Sequence, residues 1–186
     1  MPRQKNYDES QVALKAMDLF WSQGYTSTST RMLEQSMGIN LFSIYASFNN
    51  KEGVLLASIK HYQDLVRKML LKDLVHGPQD LTSIKQFFYA FLDFTQKGQH
   101  YRGCLMINTA NELGQNMAEP IAQEIMAFSK EIMTAFTKAL SKQNDPEVTQ
   151  QKVSYLFVAL QGMVLGAKMI DTPQIKNYIE MSFQKL

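Results

Sequence analysis

Apolar positions along this chain recur every three or four residues and nowhere alternate over the length of a strand, so it reads as helices throughout. Asp8 followed by Gln11 resembles a capping box, and Ala13, Ala16, Met17 and Phe20 then fall at i, i+3, i+4 and i+7 before Gly24 ends the first helix. Thr28 or Ser29 caps a short second helix ending near Met37. Gly38 takes the turn, and Asn40 caps a third helix from Leu41 to about Phe48. Two short helices joined by a glycine turn are a helix-turn-helix candidate, with Tyr25, Leu33, Ile39, Ile44 and Phe48 as its small core. Asn49 and Asn50 cap a long fourth helix, whose stripe is Leu55, Ile59, Tyr62, Val66 and Met69.

His76-Gly77-Pro78 breaks that helix, and Leu81, Ile84, Phe87, Phe88, Phe91 and Leu92 mark the next. A helix from about Tyr101 to Leu113 follows. Another begins at Pro120 and carries Ile121, Ile125, Phe128, Ile132, Ala135 and Phe136 on one side. Beyond the Asn144-Asp145-Pro146 turn, the penultimate helix runs from Glu147 to about Ile170 and is apolar on more than one face, so it needs partners on several sides. The last helix runs from Pro173 to about Phe183. The pattern predicts an all-α fold of about nine helices. A three-helix helix-turn-helix domain occupies residues 1–52, and a larger helical domain occupies residues 53–186.

Composition narrows the function by exclusion. Hydrophobic residues make up 45% and charged residues 19% of the chain, the balance of a soluble globular protein. The longest apolar stretch, Tyr155 to Ile170, is interrupted by Gln161, Gly162, Gly166 and Lys168, which predicts a buried helix rather than a membrane span. The polar start carries no secretory pattern, so a cytoplasmic location is expected. One cysteine and three scattered histidines predict neither a disulfide nor a metal site, and no cofactor motif is present. No nucleophile elbow, phosphate-cradling loop or carboxylate pair points to an enzyme. Net charge is +2, and the first sixty residues are almost balanced, so charge alone does not announce a nucleic-acid partner.

The spaced residues of the head do announce one. Gly24-Tyr25, Thr28-Ser29-Thr30-Arg31, Leu33, Gly38-Ile39-Asn40, Ser43-Ile44-Tyr45, Phe48 and Lys51-Glu52 resemble the N-terminal domain of TetR-family transcriptional regulators in residue type and spacing. The resemblance implies a homodimer that binds a near-palindromic operator in double-stranded DNA, most often as a repressor. Thr28, Ser29, Thr30, Arg31 and Lys51 would contact phosphates. Asn40, Leu41, Phe42, Ser43, Tyr45 and Ser47 would face the bases, with Tyr45 also a phosphate contact in the family and Leu41 or Phe42 suited to a thymine methyl. Glu34 departs from the small residue common in the family and adds negative charge near the DNA face. Pro2-Arg3-Gln4-Lys5 is a candidate basic arm. The alternative is a helical ligand-binding or scaffold protein that does not bind DNA.

For the second domain, the resemblance implies effector binding and dimerisation through the last two helices. Ala159, Gly162 and Gly166 are small enough to let helices approach across the dimer axis or, as the alternative, within one chain. Phe87, Phe91 and Phe128 are candidates for an apolar effector pocket, each equally at home in a core. Gly103-Cys104-Leu105 with Asn108 resembles a segment in one branch of the family that includes thiol sensors. There Cys104, Asn108 and Lys168 would read a small-molecule or reactive effector, with Lys168 activating the thiol if the two lie close and Cys104 is exposed; the other reading is a buried Cys104 that packs as a small hydrophobe.

Overall fold

The computed structural model describes residues 6–97, 100–142, 144–184 and 186; the candidate arm Pro2-Arg3-Gln4-Lys5 lies outside them. The helices are α1 (Glu9–Gln23), α2 (Thr30–Met37), α3 (Leu41–Phe48), α4 (Lys51–Val66), α5 (Lys72–His76), α6 (Leu81–Phe94), α7 (Leu105–Leu113), α8 (Glu119–Leu140), α9 (Pro146–Gly166) and α10 (Thr172–Gln184). A π-helical segment, Arg67–Leu71, joins α4 to α5 without a break, which leaves nine helical rods among the described residues. The all-helical expectation holds, apart from a two-residue antiparallel ladder that pairs Gln96 with Tyr101 and Lys97 with His100.

Local capping chemistry places most helix ends. Asp8 accepts from the Ser10 amide at the start of α1, Asp80 from Ser83 at α6, and Asp145 from Glu147 and Val148 at α9. Two sequence expectations need correction. Met69 does not continue the α4 stripe: it is 57% exposed, while Leu70 and Leu71 are buried. The π turn adds one residue to the repeat and rotates everything after it. The helix expected from Tyr101 begins only at Leu105, because Tyr101 is in the ladder and the Thr95 carbonyl accepts from the Arg102 and Gly103 amides at 2.8 and 3.2 Å.

The chain divides into two compact units. One runs to Asp64 and also takes Leu105–Ile125; the other combines Leu65–Cys104 with Met126–Leu186. In the first, Ala13, Ala16 and Phe20 of α1 are buried together with Leu33 and Met37 of α2, Ile44 of α3, and Leu55 and Ile59 of α4. Trp21 meets the Tyr62 ring edge-on at 5.0 Å. In the second, Phe88 is the hub, edge-on to Phe183 of α10 at 5.1 Å and stacked with Phe136 of α8 at 6.3 Å; Phe136 also meets Phe87 at 5.8 Å.

Candidate nucleic-acid interface

The head is built from two eight-residue helices, each too short to be stable alone, so its geometry depends on how their ends are tied. Ser29 caps α2, accepting from the Met32 amide at 3.2 Å. Gly38 closes α2 in the left-handed conformation at φ +74°, which a side chain would strain. At the start of α3 the Asn40 carboxamide accepts from the Ser43 amide at 2.8 Å, and the Glu34 carboxylate accepts from the Leu41 amide at 2.6 Å. Glu34 is therefore the residue that binds the end of α2 to the start of α3, and its charge lies on the positive end of a helix. At the other side, the Tyr7 hydroxyl donates to the Ser43 carbonyl at 2.9 Å.

These ties sort the residues expected to touch DNA. Ser29, Thr30, Arg31, Asn40 and Phe42 are exposed together around the two helix starts, and Phe42 stands out at 84% exposure. Leu41, Ser43 and Tyr45 are half-buried along α3. Thr28 does not belong with the exposed set: its side chain is fully buried and its hydroxyl donates to the Gly24 carbonyl at 2.6 Å, closing the turn after α1. Ser47 is half-buried and occupied, its hydroxyl donating to Glu9 at 2.8 Å and lying 2.9 Å from the Tyr7 oxygen. Lys51 is half-buried with its ammonium 4.2 Å over the Tyr25 ring. Burial pulls the Lys51 ammonium below the usual lysine range against an upward pull from Glu112, and burial raises the Tyr25 phenol, helped by Glu52.

Sequence reasoning missed Tyr7 and Glu112 as parts of this site. The Glu112 carboxylate, from α7, accepts from the Tyr25 amide at 2.8 Å and the Thr26 amide at 2.6 Å. Neither contact has a local signal, since the partners are 36 and 86 or 87 residues apart.

The residues expected to sense an effector are mostly inside. Cys104 is 2% exposed, the buried arrangement of its two readings rather than the exposed thiol a sensor needs; the turn held on the Thr95 carbonyl leads it into the core. Lys168 is exposed and Asn108 half-buried. Phe87, Phe91 and Phe128 are buried, Phe87 and Phe91 in contact at 5.7 Å and Phe128 beneath the Arg67 guanidinium at 4.9 Å. A cleft of about 110 Å³ between Met69, Leu70, Pro78, Gln86 and Phe87 reaches this region, well short of the roughly 300 Å³ where ordinary ligand pockets begin.

On the last two helices, Ala159 is buried and its carbonyl accepts from the Tyr178 hydroxyl at 3.2 Å. A Cβ on Gly162 would crowd that hydroxyl at 3.3 Å, while one on Gly166 would make ordinary contact with Ile175 at 3.4 Å. An open apolar stripe runs along Tyr155, Val158, Leu165 and Met169, with Val158 at 68% and Met169 at 86% exposure and the exposed Gly162 between them. Tyr178 and Met181 of α10 are also exposed.

Residues 14–58 match the sequence model of the family described as bacterial regulatory proteins, tetR family. The chain is 32% identical over 119 residues, 63% of its length, to the HTH-type transcriptional repressor ComR of Escherichia coli K12, and that match spans 56% of ComR's length. It is 25% identical over 145 residues to the HTH-type transcriptional regulator YezE of Bacillus subtilis, covering 78% of this chain and 74% of YezE. Its fold matches a cysteine mutant of the TetR family transcriptional regulator CifR, solved with 26-bp double-strand operator DNA, at a TM-score of 0.82 and 21% identity over 98% of both chains.

Proposed function

We propose that this chain, tetR-type in its head and TetR-like in its fold, is a homodimeric transcriptional repressor that binds a near-palindromic operator and is released by a small-molecule or reactive effector. The observation that carries this reading is the exposed pair of helix starts, Ser29-Thr30-Arg31 and Asn40 with Phe42, whose orientation is held by the Glu34 tie to Leu41. The first group supplies hydroxyls, a guanidinium and helix amides for phosphates. The second presents a carboxamide and an aromatic ring to base edges, with the Phe42 ring suited to a thymine methyl. CifR's operator complex supports the reading by likeness of fold.

Two half-sites about one DNA turn apart require two heads, and the apolar stripe on α9, with Tyr178 and Met181 of α10, is the surface through which two copies would pair. The repressor would work in the cytoplasm, where its operator lies. Release follows as a population shift: an effector favouring a dimer with a different head separation needs a coupling of about 1–3 kcal/mol to weaken operator binding several-fold or more. The test is selection of bound duplexes from a random pool, followed by binding of the recovered duplex across a salt series and sedimentation of the complex. A palindromic product bound by two chains, with affinity falling steeply with salt, is expected. Recovery of no sequence would favour a helical binding protein that ignores DNA.

A further inference from the structure

Glu112 is not accounted for by the reading of the head as a DNA-contacting surface, yet it makes a two-point contact with it. Both carboxylate oxygens are used, one on the Tyr25 amide and one on the Thr26 amide. Those amides belong to the turn between α1 and α2, which ends at the exposed Ser29-Thr30-Arg31 group. The turn is shaped to receive the carboxylate. Gly24 has φ +83°, and a Cβ there would lie 2.9 Å from one Glu112 oxygen and 3.2 Å from the other. Glycine is thus required by the backbone conformation, and a side chain there would push the carboxylate off the turn. On α7, Leu105 and Thr109 are buried, and Glu112 follows them at the next helical positions, so the same side of α7 that packs also delivers the carboxylate.

We propose that Glu112 is a positioning residue for operator recognition, a latch from α7 that fixes the turn ahead of α2 and, through the Glu34 tie to Leu41, the register in which Asn40 and Phe42 meet the base edges. The proposal rests on the chain being a DNA-binding regulator. Glu112 is open to solvent, so the latch adds little to global stability; its effect is on direction, because two parallel hydrogen bonds to adjacent amides fix the turn against rotation. Burial pushes the carboxyl up, and the Thr26 and Tyr25 amides with the Lys51 charge outweigh it, holding Glu112 below the usual glutamate range and charged at neutral pH.

The test compares full-length wild type with Glu112→Asp, Glu112→Gln and Glu112→Ala, using the duplex selected by the wild type and a random-sequence duplex of equal length. Amide exchange at Tyr25 and Thr26 is followed in parallel, together with the thermal midpoint. The expected result is at least a tenfold loss of affinity for the selected duplex in Glu112→Ala, with smaller losses in Gln and Asp. Affinity for random duplex and the thermal midpoint should stay near wild type, while the two amides exchange faster. A residue with only a structural role would lower the midpoint and weaken both duplexes alike, and that outcome overturns the proposal. So does wild-type affinity for the selected duplex in a variant whose amides exchange faster. Should Glu112→Ala fail to fold, Glu112→Gln decides by the same criteria. If the wild type selects no sequence at all, the regulator reading itself has failed, and the latch fails with it for a distinguishable reason.

Discussion

The two compact units hold themselves together by different means. In the unit that contains the head, short helices are tied end to end by polar contacts: Glu34 to the Leu41 amide, Glu112 to the Tyr25 and Thr26 amides, and Tyr7 to the Ser43 carbonyl. In the other unit, long helices are locked by rings, with Phe88 between Phe136 and Phe183. Burial scales with length, and two eight-residue helices bury too little to define their own angle, so directional bonds must do it. Apolar packing gives the larger energy; hydrogen bonds at helix starts give the finer control of direction, which is what a reading surface needs.

This contrast is sharpest under substitution. Phe88→Ala removes the hub ring from a closed core and should cost about 3–5 kcal/mol in denaturant unfolding; a cost below 1 kcal/mol would show that rings are not what holds that unit. Val158→Glu puts a carboxylate into the exposed stripe of α9. It should leave the folded chain intact while costing the proposed dimer about 2–3 kcal/mol, read by sedimentation as a shift to monomer. In the head, Glu34→Ala exposes the Leu41 amide without opening a cavity, and about 1 kcal/mol of stability should be lost, with faster exchange at Leu41.

Acid gives a milder probe of the polar ties. Glu112 is held below its ordinary value of 4.5, so the folded chain binds its proton less readily than the unfolded chain does. Its contribution is therefore complete above about pH 4.5 and is lost as pH falls through the lower folded value. Protection of the Tyr25 and Thr26 amides should decline in that acidic window in the wild type, and Glu112→Gln should show no such decline. The smallest effect is expected at Arg31. Arg31→Ala should leave stability unchanged and reduce the slope of log affinity against log salt by about one, the signature of one lost phosphate contact.

Legibility in the sequence followed distance along the chain. Ser29, Asn40 and Asp8 were readable as caps because each bonds an amide two or three residues away. Glu34 was readable only as a misplaced charge, since its partner is seven residues away across a turn. Thr28 looked like a surface hydroxyl because residue type does not report which way a turn faces, and Met69 looked buried because periodicity carries no notice of a π turn. Ala159, Gly162 and Gly166 are small by residue type, but only the folded chain puts the Tyr178 hydroxyl on the Ala159 carbonyl and beside Gly162.

Helix content, the place of the helix-turn-helix and the position of its glycine turn were already present in the order of residues, because periodicity, capping and backbone preference act within a few positions. Which side chains remain outside, where Cys104 goes, and that a glutamate on α7 holds the turn ahead of α2 were decided only on folding. Those outcomes depend on surfaces brought together from distant parts of the chain, and no local rule encodes them.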